Sequence, residues 1–445
     1  MRGLKIKKKS GAMTAFALSG MLLATACGNS GNGESEAGPG SSAEASASPQ
    51  KVTLSVMAHA SWIKGGMEAI VKDAADKIGI TLEIEKVAEG AEGDNLIKTR
   101  FATNDKPDIL FYYSGSQATE LGKMETEFVP QEDQPWFANF DSDAWKGAMD
   151  AEGRFYGAPL GGAQAGVVFY NKQVFADLQL GIPRTMDEFW QTAEALKQAG
   201  KIPVYLAGKD AWTLQLPPMM TAASPDYTDL VGRINANQAK LTDMADLKKG
   251  NDLMLELKSK AYVNKNFLSD TYDNAQKAIA NGDAGMYLMA SWMMTDIVNK
   301  YPDKANDLGA FMLPSEDGAP RLPVFAPNAM YVVKGGKKQE AAQRFVNYFA
   351  SIEAQNVYFS NEGGIPAIKG VTETSLTPAE EEVKALIDQG GGKPAFPAGL
   401  LYGAGDFGSF LQDSLSGGRS TEAVLEGMQQ EFVKNAKVKD DPNFE

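Results

Sequence analysis

Few residues of this 445-residue chain could carry out catalysis. His59 is its single histidine and Cys27 its single cysteine, so a Ser-His-Asp triad could form only around His59. The same count excludes a metal site built from several His and Cys ligands. A lone histidine beside the end of a predicted strand is more often structural than catalytic. The phosphate-binding pattern Gly-x-x-x-x-Gly-Lys-Ser/Thr is also missing, and we expect neither a cofactor nor a metal.

Two further patterns bear on enzymatic activity. Gly403-Ala-Gly-Asp-Phe-Gly408 has the glycine spacing of a dinucleotide-binding loop, but it follows no strand of an early strand-helix-strand unit, so we predict an ordinary loop. Glycoside hydrolysis needs two carboxyl groups whose geometry cannot be read from spacing, and the chain has 57 Asp and Glu residues. A glycan-degrading enzyme therefore stays open as an alternative.

The elements that would position functional residues alternate along the chain from Val52 onward. We predict strands at Val52–Met57, Ile80–Val87 and Pro107–Tyr113, and helices at Gly66–Ile78 and Asp94–Asn104. Elements in this order form a parallel sheet with helices on its faces. Ligands bind such sheets beyond the carboxyl ends of the strands, so the loops His59–Gly65 and Tyr112–Gln117 are candidate binding loops.

A glycine-rich segment, Glu152–Phe175, separates this region from the rest of the chain. Gly161, Gly162 and Gly166 precede the apolar run Val167–Tyr170, which predicts a buried strand. Glycine adopts backbone angles that other residues avoid, which suits a crossing between two bodies that move relative to each other. An ordinary strand-loop-strand fits the spacing equally well.

The second half of the chain contains more predicted helices and two helix-start signals. Helices are predicted at Met186–Ala199, Trp212–Ala223, Leu241–Lys258, Asp270–Asn281 and Glu340–Ile352, a strand at Lys201–Leu206, and a second crossing at Phe325–Val333. Thr185 with Glu188, and Thr377 with Glu380, have the spacing of a capping box, in which each side chain bonds the backbone N–H of the other residue.

The N-terminus has the composition of an export signal. Arg2 and four lysines precede the apolar, small-residue stretch Ala12–Ala26, which is too short to cross a bilayer as a mature helix. Removal of residues 1–26 would change the net charge from −14 to about −19, and a body this acidic repels nucleic acid. Residues 27–50 are mostly Gly, Ser, Ala, Asn, Glu and Pro, and predict a flexible linker.

Several modest motifs occur in a fixed order along the chain. They are Gly153-Arg-Phe-Tyr-Gly-Ala-Pro159, Tyr170-Asn-Lys-Gln-Val-Phe175, Pro183-Arg-Thr-Met-Asp-Glu-Phe189, Asn281–Trp292, Leu308–Pro314 and Ser351-Ile-Glu-Ala-Gln355. Together they resemble the extracellular sugar-binding proteins of ABC importers, the family that includes maltose-binding protein. Met186 stands where the family has Trp, and Ser291 replaces a common glycine. Leu22-Leu-Ala-Thr-Ala-Cys27 likewise resembles the lipobox of bacterial lipoproteins, in which the cysteine is acylated.

The resemblance implies a fold class and a domain organisation. The fold would be two-lobed α/β, of the type II periplasmic-binding-protein kind, with a mostly parallel sheet in each lobe and hinge crossovers between them. Residues 1–26 would be the signal peptide and residues 27–50 the linker. The N-terminal lobe would comprise residues 51–159 plus 326–370, and the C-terminal lobe residues 160–325 plus 371–445.

Residues that could bind a sugar follow from the same resemblance. Aromatic rings would stack on the apolar faces of pyranose rings, and polar groups would bond the hydroxyls. The substrate-binding candidates are Ser61, Trp62, Tyr112, Ser114, Gly115, Gln164, Trp212, Trp292, Asp406 and Phe407. We assign Trp136, Trp145 and Trp190 to ordinary packing.

The function implied is that of a substrate-binding lipoprotein, not an enzyme, that captures a carbohydrate by hinge closure. Its partners would be the sugar, the transmembrane subunits of an ABC permease, and the membrane through a lipid on Cys27. We expect no nucleic-acid partner and a monomer, located on the extracellular face of the cell membrane of a Gram-positive bacterium. The alternatives are a surface-anchored hydrolase or lyase, and a glycan-capture protein without a permease.

Overall fold

The computed structural model describes residues 51–88, 90–140, 154–390 and 392–445. The predicted signal segment, Cys27 and the linker lie outside these residues, as do Gly153 and Trp145. The chain separates into two compact units, Met1–Ser48 and Pro49–Glu445. All structural statements below concern the second unit, which contains its own hydrophobic core.

Strands and helices follow one another through the described residues of the second unit. The strands are β1 Val52–His59, β2 Ile80–Val87, β3 Ile109–Tyr112, β4 Gly157–Leu160, β5 Gln164–Asn171, β6 Ile202–Val204, β7 Ala284–Ala290, β8 Leu308–Phe311, β9 Pro323–Phe325, β10 Asn328–Val332 and β11 Lys393–Pro394. The α-helices are α1 Gly65–Lys77, α2 Ala91–Ala102, α3 Met124–Glu127, α4 Lys172–Asp177, α5 Met186–Gln198, α6 Leu216–Ala222, α7 Tyr227–Asn235, α8 Ala245–Ser259, α9 Tyr272–Ala280, α10 Met293–Lys300, α11 Gln339–Phe349, α12 Ile352–Glu362, α13 Pro378–Asp388, α14 Phe407–Ser416 and α15 Thr421–Val438.

The first sheet has the strand order β2-β1-β3-β10-β4. Strand β1 is parallel to β2 and β3, whereas β10 is antiparallel to both β3 and β4. The first lobe is built on this sheet, where helix α1 packs against β2 and helix α11 packs against β1 and β10. The alternation predicted from Val52 onward is confirmed: β1, β2 and β3 are parallel strands, and helices α1 and α2 lie between them along the chain.

The second sheet has the strand order β11-β9-β5-β7-β6, and β8 also pairs with β5. Strand β5 is antiparallel to β7, β8 and β9, so each sheet has one strand that opposes the others. The second lobe is built on this sheet, where helix α5 packs against β6, helix α9 against β7 and helix α13 against β8. The chain therefore has the predicted two-lobed α/β fold, and the residue boundaries of the lobes stay a prediction.

The chain passes between the sheets three times, through two short connections from β4 to β5 and from β9 to β10, and by the longer path from β10 to β11. In the first connection, Gly161 has a φ of +92°, a left-handed conformation that favours glycine. A side chain at Gly162 would place its Cβ 2.4 Å from the backbone oxygen of Ile365, so only glycine fits there. Ala163 donates a backbone hydrogen bond to the same oxygen at 2.7 Å.

Local signals explain where several helices begin and end. The capping box of Thr377 and Glu380 is confirmed, with both reciprocal bonds present. At Thr185 the prediction was half wrong. The threonine hydroxyl accepts from the Glu188 N–H, but the Glu188 carboxylate accepts from the N–H of Arg184 instead.

Three predicted helices are interrupted where the sequence pattern looked continuous. The stretch 212–223 is a 3₁₀ turn at Ala211–Gln215 followed by α6, because two prolines occupy the first helical turn. The stretch 241–258 likewise opens with a 3₁₀ turn at Leu241–Asp243. The helix predicted to reach Ile352 ends at Phe349, since Ser351 caps the next helix. Among the described residues, no helix is both long and apolar enough to cross a membrane.

Candidate functional site

Aromatic side chains meet where β1 and β3 of the first lobe end. Trp62, in the 3₁₀ turn Ala60–Trp62, packs 5.2 Å from Tyr113 with the rings nearly perpendicular at 84°. Tyr113 in turn lies 5.1 Å from Tyr112. Both strands are parallel, so their carboxyl ends reach the same edge of the sheet, the usual position of a ligand site. We call Trp62, Tyr112 and Tyr113 the first aromatic wall.

His59 supports this wall from behind. Its side chain is fully buried, its Nδ1 lies 2.9 Å from the carbonyl oxygen of Ala88, and its Nε2 lies 3.1 Å from a carboxylate oxygen of Asp94. The imidazole is 4.9 Å from the Trp62 ring. A histidine held at both nitrogens inside the core fits the structural role predicted for it.

Tyr112 is also buried, because only 1% of its surface is exposed to solvent. Burial, with the negative charge of Asp94, raises the pKa of Tyr112 well above its usual range, so the phenol stays protonated. The remaining candidates from these loops lie nearer the solvent. Ser61 is exposed and Ser114 half-buried, whereas Gly115 is buried with a φ of +70°.

A second group of aromatic residues lies in the second lobe. Trp292 follows β7, and its ring is 4.9 Å from Phe325 at the end of β9 and 6.3 Å from Trp212. Trp212 is 41% exposed and packs edge-on against Tyr272 at 5.0 Å. We call Trp212, Trp292, Phe325 and Tyr272 the second aromatic wall.

A planar polar group is fixed beside this wall. Ser291 donates its hydroxyl to Oε1 of Gln164 at 2.8 Å, and the Ala165 N–H donates to the same hydroxyl at 3.1 Å. Strands β5 and β7 pair at this point, so the backbone positions both side chains. The amide nitrogen of Gln164 has no hydrogen-bond partner among the described residues, which leaves it available to an acceptor such as a sugar hydroxyl.

Two carboxylates orient Tyr272. Its backbone N–H donates to Asp210 at 2.7 Å, and its hydroxyl donates to Asp296 at 3.1 Å. Burial, together with the charge of Asp296, raises the pKa of Tyr272 well above its usual range, so this hydroxyl remains a donor.

The two walls lie at the same side of the junction between the lobes. Lys64, two residues after Trp62, forms an ion pair with Asp296, four residues after Trp292, with 3.6 Å between Nζ and Oδ1. The ion pair therefore brings the segments that carry the two walls close together, and Gln164 lies beside the second wall. Flat apolar surfaces with a few fixed polar groups are typical of sites for small ligands.

Asp406 and Phe407 occupy different environments. Asp406 is exposed and caps helix α14, where it accepts from the Ser409 N–H at 3.0 Å. Phe407 is 4% exposed and packs on Phe396 at 5.9 Å, so its ring is not accessible for stacking. The role of Phe407 in binding stays a prediction that its burial does not support. Gly403–Asp406 form the predicted loop, and helix α14 begins at Phe407.

Three aromatic residues of the walls were missed in the sequence analysis. Tyr113 lies next to Tyr112 in one apolar run, and Phe325 opens the second predicted crossing, so their positions carried a usable signal. Tyr272 begins an ordinary amphipathic helix and gave no such signal. Trp136 is buried as predicted, and Trp190 is half-buried with the Lys260 ammonium 4.4 Å from its ring.

A separate cavity of about 240 Å³ lies in the second lobe, away from both walls. Its lining includes Trp190, Met220 and Arg321. The Arg321 guanidinium donates to Asp246 at 2.9 Å and to Asp317 at 2.7 Å, so its charge is already neutralised. Over the part of the chain that the structure describes, no group of three or more His, Cys, Asp and Glu residues could hold a metal ion.

Comparisons with known proteins agree with this architecture. The family model described as "Bacterial extracellular solute-binding protein" matches residues 60–356. The multiple sugar-binding protein of Streptococcus mutans is 25% identical over 386 residues, which cover 86% of this chain and 87% of that protein. The melibiose/raffinose/stachyose-binding protein MelE of Bacillus subtilis is 27% identical over 124 residues, covering 27% of this chain and 28% of that protein.

Solved structures have the same fold. A chitin oligosaccharide binding protein superposes with a TM-score of 0.72 at 22% identity, covering 88% of this chain and 99% of that one. The solute-binding protein RafE in complex with raffinose gives a TM-score of 0.70 at 22% identity, covering 86% and 99%.

Proposed function

Because this chain belongs to the family of bacterial extracellular solute-binding proteins, we propose that it captures a carbohydrate, an oligosaccharide, between its two aromatic walls. It would then deliver the sugar to the transmembrane subunits of an ABC permease. Relatives whose names state a multiple-sugar or a raffinose ligand favour this class of ligand. The protein would bind and release the sugar unchanged.

The observation that carries the proposal is the ion pair between Lys64 and Asp296, which joins the segments on which the two aromatic walls lie. A ligand held between Trp62 and Tyr113 of the first lobe and Trp212 and Trp292 of the second would contact both lobes. Pyranose rings present apolar C–H faces that stack on such rings, while their hydroxyls bond planar polar groups such as Gln164. A ligand that contacts both walls binds the closed form better than the open one, and this difference drives closure.

The charges near the walls favour a neutral sugar. Lys64 and Asp296 neutralise each other, and Asp210 accepts from the backbone of Tyr272. No arginine belongs to either wall, whereas carboxylated sugars are usually bound by a guanidinium with two parallel hydrogen bonds.

We also propose that the protein acts at the extracellular face of the membrane as a lipid-anchored monomer. The sequence motif ending at Cys27 supports acylation, and residues 28–50 would tether the folded unit. A lipid anchor of this kind fits a Gram-positive cell, in which a binding protein would otherwise diffuse away.

The test is a thermal-shift screen of the compact unit Pro49–Glu445 against a panel of mono- and oligosaccharides, with product analysis of every hit. A ligand at about 100 times its dissociation constant should stabilise the folded state by about 2.7 kcal/mol. The variant Trp212→Ala should lose most of this shift, because the side chain is 41% exposed and contributes to the wall more than to the core. Trp190→Ala, outside the cleft, is the matched control and should keep it.

The outcomes separate this proposal from its alternatives. A sugar that raises the melting temperature and is recovered unchanged supports the binding protein. A sugar that is recovered cleaved supports the hydrolase or lyase. Binding without any change in the separation of the lobes would support a glycan-capture protein that works without closure.

A further inference from the structure

Two polar contacts, among those of the described residues, join the lobes. The first is the ion pair between Lys64, at the start of α1, and Asp296, in α10, with 3.6 Å between Nζ and Oδ1. The second is a hydrogen bond from the Lys439 ammonium, just after α15, to the backbone oxygen of Thr119 at 3.3 Å. Of the two, only the first joins opposite charges.

The Asp296 carboxylate is oriented by its own lobe before Lys64 reaches it. One of its oxygens, Oδ2, accepts from the Tyr272 hydroxyl at 3.1 Å and from the Gln276 amide at 3.3 Å. The other oxygen, Oδ1, is the one that faces Lys64. The second lobe thus holds a carboxylate ready for a cation on the first lobe.

We propose that Lys64 and Asp296 form an interlobe clasp that stabilises the closed arrangement of the lobes and thereby strengthens ligand binding. The effect on binding rests on the function proposed above, but the effect on closure does not. A separation of the lobes by several ångströms would break the pair, because the Coulomb interaction of solvated charges falls with distance and is screened by salt. The clasp therefore contributes to the closed form and hardly at all to the open form.

The clasp is also connected to the ligand-contacting surface. Lys64 lies two residues after Trp62, and Asp296 is bonded to Tyr272, whose ring packs on Trp212 at 5.0 Å. Both partners therefore belong to the segments that carry the two walls. Asp296 acts as a positioning residue, since it does not itself need to touch the sugar.

The side chains of Lys64 and Asp296 are 36% and 24% exposed, which limits the strength of the pair. Exposed pairs of this kind change an equilibrium by a factor of about two to five. We expect Lys64→Met to raise the ratio of open to closed molecules about two- to five-fold at low salt.

Closure can be measured without any ligand, by single-molecule energy transfer on the compact unit Pro49–Glu445. The single native cysteine, Cys27, lies outside this unit, so dyes can be attached through Asp76→Cys in the first lobe and Glu426→Cys in the second. Populations are compared in roughly 20 mM and 500 mM salt, which span weak and strong screening. The matched control is Lys434→Met, which removes an exposed ion pair with Glu431 inside α15.

The clasp predicts that high salt raises the open fraction of the wild-type protein. It also predicts that Lys64→Met raises the open fraction at low salt, and that added salt then changes the open fraction of this variant very little. Asp296→Asn keeps an acceptor for Tyr272 but loses the charge, so it should open the protein to the same extent. The exchanged pair Lys64→Asp with Asp296→Lys should restore closure in part, whereas Lys434→Met should behave as wild type. Equal populations in the wild type, Lys64→Met and Asp296→Asn at low salt would overturn the proposal.

Affinity is the second readout, with any sugar found in the screen. The clasp predicts that Lys64→Met weakens binding in proportion to the fall in the closed fraction of the free protein. If Lys64→Met changes the population of open molecules and no sugar binds the wild-type protein, the clasp stands and the carbohydrate proposal fails. If a sugar binds and opening does not change, the carbohydrate proposal stands and the clasp is refuted.

Discussion

The position of Trp212 depends on a glycine that is distant in sequence. Helix α14 begins with Phe407 and Gly408, and a methyl group on Gly408 would lie 2.6 Å from the backbone oxygen of Ala211 and 3.0 Å from the nitrogen of Trp212. Ordinary contacts begin at 3.4 Å, so the helix or the 3₁₀ turn would have to move by up to about 0.8 Å. Both sides of this contact are backbone, and neither can rotate away.

We predict that Gly408→Ala destabilises the protein and displaces Trp212. Overpacking of this kind costs about 1–3 kcal/mol. For a unit of about 400 residues this corresponds to a fall in melting temperature of about 1–4 °C. The emission of the tryptophans should also shift, because Trp212 is partly exposed and its packing on Tyr272 would change.

The control is Gly232→Ala in helix α7, where an added Cβ meets nothing within 4 Å. That change should stabilise the protein by about 0.5–1 kcal/mol, because alanine is the better helix former. Differential scanning fluorimetry and sugar titration are run on both variants. If Gly408→Ala melts no lower than Gly232→Ala and binds sugar as the wild type does, the predicted contact does not position Trp212.

Three further predictions concern stability, pH and export. Asn251 is 2% exposed and donates to the hydroxyls of Ser414 and Thr421. Asn251→Ala should therefore lower the free energy of unfolding by about 1–3 kcal/mol, which is measured as a lower midpoint of urea unfolding. An unchanged midpoint would contradict this prediction. Burial raises the pKa of the Glu380 carboxyl above its ordinary 4.5, because the ionised form is disfavoured inside the folded protein. The folded state therefore loses stability relative to the unfolded state as the pH rises through the raised pKa. Glu380→Gln keeps an accepting oxygen and should gain in melting temperature over the wild type between about pH 4 and pH 7; a constant difference would refute this. Cys27→Ser should abolish palmitate labelling of the membrane fraction, whereas labelling that persists would exclude acylation at Cys27.

The sequence was a good guide wherever one face of an element is buried. Strand β2 has the predicted bounds Ile80–Val87, and exposed residues alternate with half-buried ones from Thr81 to Glu85. The predicted start of a helix was wrong where a 3₁₀ turn precedes the helix, as at Ala211–Gln215. The spacing of apolar residues is similar in a 3₁₀ turn and an α-helix, so the pattern did not separate the two. The motif order was sufficient for the family, which the matching family model confirms.

The candidate site was harder to predict, because the cleft joins residues that are far apart in sequence. Eighty positions separate Trp212 from Trp292, and no spacing rule relates them. Tyr272 was missed since a tyrosine at the start of an amphipathic helix usually belongs to the core. Phe407 shows the reverse case, in which a residue in a glycine-rich loop pattern turned out to be buried.

The order of strands in the first sheet has a consequence for synthesis and secretion. Strand β4 pairs with β10 and with no other named strand, yet 167 residues lie between Leu160 and Asn328 in the chain. A nascent chain that has reached Leu160 therefore has an unfinished sheet, and it can complete that sheet only after the whole of β10 has emerged. Closing so long a segment before its contacts form makes folding slow. The topology would thus keep the growing polypeptide unfolded for longer, which suits a chain that has to be threaded through a narrow translocation channel before it folds.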